Sequence, residues 1–288
     1  MADAWLTHES GRMVLERATA AIGRDIVEGA RDQAVLATTE FVQPAILACD
    51  VAALRVLESA GAAFSATAGH SLGEFAALVA AGVLDLESAL RIVAVRGREM
   101  QRSGAERPGT MTALVGVGTA DAAVLCDEAR GDDVLVVANE NAPQQVVISG
   151  SVVAIERAEV LAAARRLRAV RLNVAGAFHS PLMEPAVQAL SAAIDEAPFS
   201  PPRFPVAANV TGTLITDPEE MRERCKQHVV SPVLWDACAR ALASAGADTF
   251  VEAGPGEILT KLAKRVVPGV RAVAVGDPDA AIAVAENQ

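Results

Sequence analysis

The chain has 288 residues, 52% of them hydrophobic, enough for a substantial core in one large domain or two smaller ones. Lys and Arg total 25 against 36 Asp and Glu, for a formal net charge of -11. That balance favours solubility and argues against nucleic acid or an acidic membrane as partner.

Residues 12–28 read as a helix, with Met13, Leu15, Ile22 and Ile26 spaced for one face. Pro44 is expected to open a largely buried helix through AILACDVAALRVL. Residues 62–69, bounded by Gly61 and Gly69, read as a brief buried strand, followed by a helix from about Leu72 to Ala81 that Gly82 stops. Asp85 is placed to cap the next helix, LDLESALRIVAVRGREMQ, with Glu87 in its first turn. After Pro108 the pattern changes. Thr110–Val115 reads as strand, Ala120–Ala129 as helix, and Val134–Ala138 and Gln145–Ser149 as strands around the turn-rich NENAPQ. Residues 151–166 then read as helix and Val170–Val174 as strand. This strand, helix, strand, strand, helix, strand order is a split βαβ, ferredoxin-like unit. Larger α/β patterning resumes from Leu182, and the tail after Gly276 reads as weakly structured. The expected division is 1–108 with 175–288 as one domain and 109–174 as a small inserted one.

Cys49, Cys126, Cys225 and Cys238 lack metal-ligand spacing and read as buried, reduced thiols. The start of the chain carries Asp3, His8 and Glu9 and no long apolar run, so neither signal peptide nor membrane span is expected, and the cytoplasm is the expected compartment.

GHSLG at 69–73 fits the G-x-S-x-G pattern, in which a sharp strand-to-helix turn exposes a serine hydroxyl. Gly69 and Gly73 are expected to relieve crowding there, and the helix start offers N–H groups to a developing oxyanion. An ordinary turn serine is the competing reading of Ser71. A serine nucleophile needs a base, and the histidines are His8, His70, His179 and His228. His8 reads as surface. His70 adjoins Ser71, where elbow geometry suits pocket lining better than proton transfer. His179, in a chain reversal between Gly176 and Pro181, suits a general base, against the alternative of a loop-bonded histidine. Glu74, Asp85 and Glu87 do not stand out as a third member; a backbone carbonyl can also orient an imidazole by accepting its N–H, which makes a Ser–His dyad with a backbone orienter a reasonable reading. Arg91, Arg98 and Arg102 share a solvated helix sector, whereas Arg96 points nearer the apolar side. Its partner is either an internal carboxylate or a carboxylate on a substrate.

TEFVQPA at 39–45, GHSLGEFAA at 69–77, RGREMQ at 96–101, GAFHSPLM at 176–183, SPVLW at 231–235 and EAGPG at 252–256 occur in one order. Together they resemble malonyl-coenzyme A:acyl-carrier-protein transacylases and the related polyketide-synthase acyltransferase domains, over nearly the whole chain. The resemblance implies an α/β fold, with an α/β-hydrolase-like large domain and an inserted ferredoxin-like small domain. It implies Ser71 and His179 as the catalytic pair, Arg96 on the substrate carboxylate, and the Leu72 N–H as an oxyanion donor. A backbone carbonyl orients His179, that of His228 or, one register away, Gln227. Leu72 and Phe178 resemble malonyl-selective versions of those positions. The implied partners are malonyl-coenzyme A as donor and an acyl carrier protein as acceptor. No bound cofactor, metal, nucleic acid or membrane is implied, and the expected state is a monomer.

An esterase or thioesterase shares the elbow but gives no reason for an inward arginine. An enzyme serving a polyketide carrier and a catalytically silent relative are further readings. Members of the family open with a hydrophobic strand and a G-Q-G-S-Q stretch, whose last Gln supplies a second oxyanion N–H. The sequence contains no such stretch, so the expectation is a natural start upstream of Met1 and a 288-residue form that is weakly active or poorly soluble. Gly254-Pro255-Gly256 reads as a structural turn, and VGVGTA at 115–120 lacks the full dinucleotide glycine pattern.

Overall fold

In the computed structural model, which describes residues 1–287, the strands in chain order are β1 (Thr67–Ala68), β2 (Gly109–Val115), β3 (Leu135–Ala142), β4 (Gln145–Ser151), β5 (Arg168–Arg171), β6 (Val206–Ala208), β7 (Thr213–Ile215), β8 (Thr249–Ala253) and β9 (Arg271–Val275). They form three sheets, β1-β6-β7, β3-β4-β2-β5 and β8-β9. The fold is α/β, a large helix-rich part with a small antiparallel sheet inserted. Among the described residues no helix is long and apolar enough to cross a membrane.

The inserted sheet is antiparallel throughout, with helices Thr119–Arg130 and Val152–Ala164 in the order the sequence predicts. Leu114, Leu125, Leu135, Ile148 and Ile155 form its own buried cluster. Two boundaries differ from expectation. β3 runs on through Asn139, Glu140 and Asn141, which composition marked as turn, because register shifts at Val137/Asn139 and Glu140/Ala142 let a bulged strand continue. β5 is Arg168–Arg171 rather than 170–174, since pairing with β2 ends at Thr112↔Arg171.

In the larger part, the helix expected over 12–28 is broken. Glu9–Ile22 ends at left-handed Gly23 (φ 67), and the Asp25 carboxylate caps a new helix, Ile26–Arg31, by accepting from the Val27 and Glu28 N–H groups. Helix Thr39–Ser59 starts five residues ahead of Pro44, which lies inside it rather than opening it. Pro44 there removes a single second-turn hydrogen bond, and the buried face from Phe41 to Leu57 outweighs that loss. Helix Leu86–Glu106 starts where expected, with Asp85 accepting from the Ser88 N–H at 2.6 Å. The segment after Gly276 is also helical, from Pro278 to Ala285. Asp277 caps this helix, which buries Ala281 and Val284. All four cysteines are free and buried.

The strand expected over 62–69 is only Thr67–Ala68, paired in parallel with β6. Its other edge and β8 line a cavity of about 640 Å³, together with Asp50, Leu54 and Leu259. The Asp248 carbonyl and Gly254 N–H bond to β9, so Thr249, Val251 and Ala253 turn their peptide groups to the cavity side. The Thr67 N–H bonds to Pro205, so Ala66 and Ala68 likewise turn away from β6. Residue-resolved hydrogen exchange is expected to alternate along these strands. Amides of Ala68, Val251 and Ala253 should exchange at least about tenfold faster than those of Thr67, Phe250 and Glu252. Equal protection at both sets would show the cavity edge to be hydrogen-bonded.

Candidate active site

The turn between β1 and helix Gly73–Ala80 is tight for a stated reason. A Cβ on Gly69 would lie 1.9 Å from the Gly73 backbone, so no other residue fits at 69. Gly73, expected to share that role, has open space around its own Cβ position, and the crowding falls on Gly69 alone. Ser71 takes a left-handed conformation, φ 50, which a non-glycine residue holds at a cost of about 1–3 kcal/mol. The Leu72 N–H stands just ahead of the helix, where N–H groups have no intrahelical acceptor.

The fold gathers three distant segments around the Ser71 hydroxyl. Its Oγ lies 2.8 Å from His179 Nε2 and accepts from Arg96 Nη2 at 3.0 Å. On the other side of the ring, His179 Nδ1 is 3.0 Å from the His228 carbonyl and 3.1 Å from that of Ser231. Both partners there are acceptors, so Nδ1 carries the proton and Nε2 is left to receive the one on Ser71. Burial, and then the positive field of Arg96, pushes the His179 imidazolium down to about 3, so the ring is a neutral base at neutral pH. The Gln227 alternative is set aside. Gln227 is exposed and it is the next carbonyl, that of His228, that faces the ring. Like Ser71, His179 has a positive φ, 56.

Arg96 is 1% exposed, while Arg91, Arg98 and Arg102 are exposed as their helix sector implies. Nη1 donates to Gln43 Oε1 at 2.6 Å, and Nε meets no acceptor. Among the described residues it forms no ion pair, so the internal-carboxylate reading does not hold. Burial pulls the guanidinium down to about 10, against the opposing field of Glu74, and it remains cationic at neutrality. A buried, charged fork with a spare donor beside a nucleophile has the chemistry to accept a small anion.

The acyl transferase domain model matches residues 15–280. The chain is 38% identical over 275 residues to the malonyl CoA-acyl carrier protein transacylase of Escherichia coli K12, covering 93% of this chain and 88% of that one. The chain belongs to this transacylase family. Its structure superposes on an acyl carrier protein S-malonyltransferase from Vibrio cholerae with a TM-score of 0.93 at 35% identity, covering 99% of this chain and 94% of that one. It also matches a malonyl-transacylase solved with a type II polyketide-synthase acyl-carrier protein, at 33% identity and TM-score 0.95, covering 100% and 95%.

Around this transacylase-family site stand residues that motif reading passed over. Gln43, inside TEFVQPA, orients Arg96 and in turn donates to Met100 Sδ at 3.4 Å. Asn141, inside the supposed turn, has Oδ1 2.7 Å from His70 Nε2, and the Trp235 ring packs 5.5 Å from the His70 ring. His70 is therefore held away from Ser71 rather than acting on it. Glu74 does not reach His179. It accepts from the Asn209 N–H at 3.1 Å and lies 3.6 Å from His228 Nε2, and burial raises its carboxyl to about 7. Asp85 is spent on its helix cap and Glu87 pairs with Arg17 at the surface. Leu72 and Phe178 are half-buried and pack against the main core.

Proposed function

We propose that Ser71 and His179 form the dyad of a malonyl-coenzyme A:acyl-carrier-protein transacylase serving fatty-acid biosynthesis. The observation that carries this reading is the Ser71 hydroxyl held between a neutral imidazole and an unpaired buried arginine. The malonyl carboxylate takes the Arg96 fork, with Gln43 fixing its plane. His179 Nε2 removes the Oγ proton as Oγ attacks the thioester carbon, and the Leu72 N–H faces the oxyanion. The tetrahedral intermediate collapses, the C–S bond breaks, and His179 returns the proton to the coenzyme A thiolate. A malonyl-serine ester remains. The carrier's phosphopantetheine thiol then gives its proton to His179 and attacks the ester, and Ser71 leaves with the proton restored. Each step uses this chain's own residues, with malonyl-coenzyme A as donor substrate.

Residues 1–108 and 175–288 make the catalytic domain in this reading and 109–174 the small one, supported by the separate cluster around Leu114 and Ile148. Phe178 and Leu72 border the acyl group and favour malonyl over branched donors. A monomer working in the cytoplasm follows from the family resemblance. A polyketide carrier is the second reading, favoured by 39% identity over 238 residues to a spectinabilin polyketide synthase protein of Streptomyces orinoci, of which the match covers 11%. The test is transfer from malonyl-coenzyme A to purified holo carriers of both kinds, followed by intact mass. Malonyl-carrier is expected, faster with the fatty-acid carrier. Free malonate without malonyl-carrier would mean a hydrolase and overturn the reading.

A further inference from the structure

We propose that Asn209 is a positioning residue that sets the nucleophile and the base together. The inference rests on the dyad reading above and assigns a role to a residue that touches neither substrate nor the reacting atoms. Asn209 follows β6 directly and is fully buried. Its Oδ1 accepts from the Ser71 N–H at 2.7 Å, and its Nδ2 donates to the Gly69 carbonyl at 2.7 Å. One amide thus grips the elbow on both sides of His70. Reversing the amide would set donor against donor and acceptor against acceptor, so a single orientation is possible.

The same Oδ1 lies 3.3 Å from His228 Nε2. His228 is neutral, pushed well down by burial and by the fields of Arg96 and His179, and because Asn209 Oδ1 can only accept, its Nε2 carries the proton and donates to the amide oxygen. The carbonyl of that same His228 orients His179. The Asn209 backbone N–H binds the Glu74 carboxyl on the elbow helix, and its carbonyl accepts from the Leu234 N–H at 2.9 Å. Ser71 and His179 are both held at positive φ, a conformation that persists only when its surroundings over-determine it. Asn209 bonds directly to the first and, through His228, to the acceptor of the second. Its loss lets the Oγ–Nε2 geometry drift without removing either reacting group.

The test separates positioning from folding. The charged and titratable groups around position 209 are Glu74 on the elbow helix, His228, Cys238, whose Sγ donates to the Ala208 carbonyl, and Arg96, His179 and His70, whose fields act on His228. Asn209→Ala is expected to slow single-turnover acylation of Ser71 about 100-fold, with half-saturation by malonyl-coenzyme A changed less than about threefold. Asn209→Asp adds a conditional mimic. As a neutral acid it accepts from Ser71 and donates to Gly69, whereas its anion faces the Gly69 carbonyl oxygen. Burial raises its carboxyl, as it raises that of neighbouring Glu74 to about 7. Its rate relative to the native protein should be within about threefold at pH 5.5 and drop about 30-fold by pH 8.5. Tryptophan fluorescence and Tm are followed across the same series. A folded Asn209→Ala with near-native acylation, or a constant Asp-to-native ratio, would overturn the proposal. So would loss of activity that tracks loss of folded signal, which makes Asn209 a folding residue. Absence of acylation in the native protein would instead defeat the transacylase reading.

Discussion

Replacing Ser71 by alanine is expected to abolish formation of the acyl-enzyme. The native protein incubated with malonyl-coenzyme A should gain the mass of one malonyl group, on the peptide that contains Ser71, and Ser71→Ala should gain none. Removing the nucleophile from a dyad or triad costs on the order of 10⁶ in turnover, because no other group can take over the covalent step. The serines that flank His179 do not substitute. Ser180 is fully buried and donates to the Ala177 carbonyl, and Ser231 presents its carbonyl, not its hydroxyl, to His179. The fold is expected to survive, since among the described residues the Ser71 hydroxyl hydrogen-bonds to His179 and Arg96, and its N–H bond to Asn209 is untouched by the change. A stable adduct on another residue, or undiminished transfer by Ser71→Ala, would remove Ser71 from the mechanism.

Ser71, His179 and Arg96 are legible because each sits in a local pattern whose chemistry is local. The elbow needs a glycine at 69, the base needs a chain reversal, and an inward arginine stands out from its helix sector. The His228 carbonyl was reachable only by counting along a motif, because a carbonyl carries no sequence signature. Gln43, Asn141 and Asn209 acquire their roles through contacts with residues between 53 and 140 positions away. Nothing in their immediate neighbours marks an amide as a clamp. Asn141 was obscured for a second reason, since asparagine and proline in NENAPQ look like a turn while bulges let the strand continue. In the fold, strongly periodic helices such as Leu86–Glu106 and the inserted unit followed from pattern. Pro44 misled because tertiary burial along Thr39–Ser59 overrides a local breaker. Gly23 misled in the opposite direction, since a single left-handed residue splits an otherwise continuous apolar stripe.

Arg96→Met is expected to separate acyl choice from stability. The guanidinium is buried without an ion pair and with one N–H unpartnered, so it does little to hold the fold together. An apolar side chain of similar length removes a desolvated charge, and with it the cost of burying that charge. The Tm should therefore stay level or rise, although Gln43 loses its partner. Malonyl transfer should respond quite differently. A charge-assisted fork on a buried carboxylate contributes about 2–5 kcal/mol, so acylation by malonyl-coenzyme A should fall roughly 30- to 5,000-fold. Acetyl-coenzyme A has no carboxylate to lose, and its slow acylation should change by no more than a few-fold. Arg96→Lys keeps the charge without the planar fork and should recover only part of the malonyl rate. The measurement is single-turnover acylation of Ser71 with each donor, alongside thermal unfolding of the same preparations. Equal losses for malonyl and acetyl would show that Arg96 acts on the Ser71 hydroxyl it already touches at 3.0 Å, and not on the substrate carboxylate.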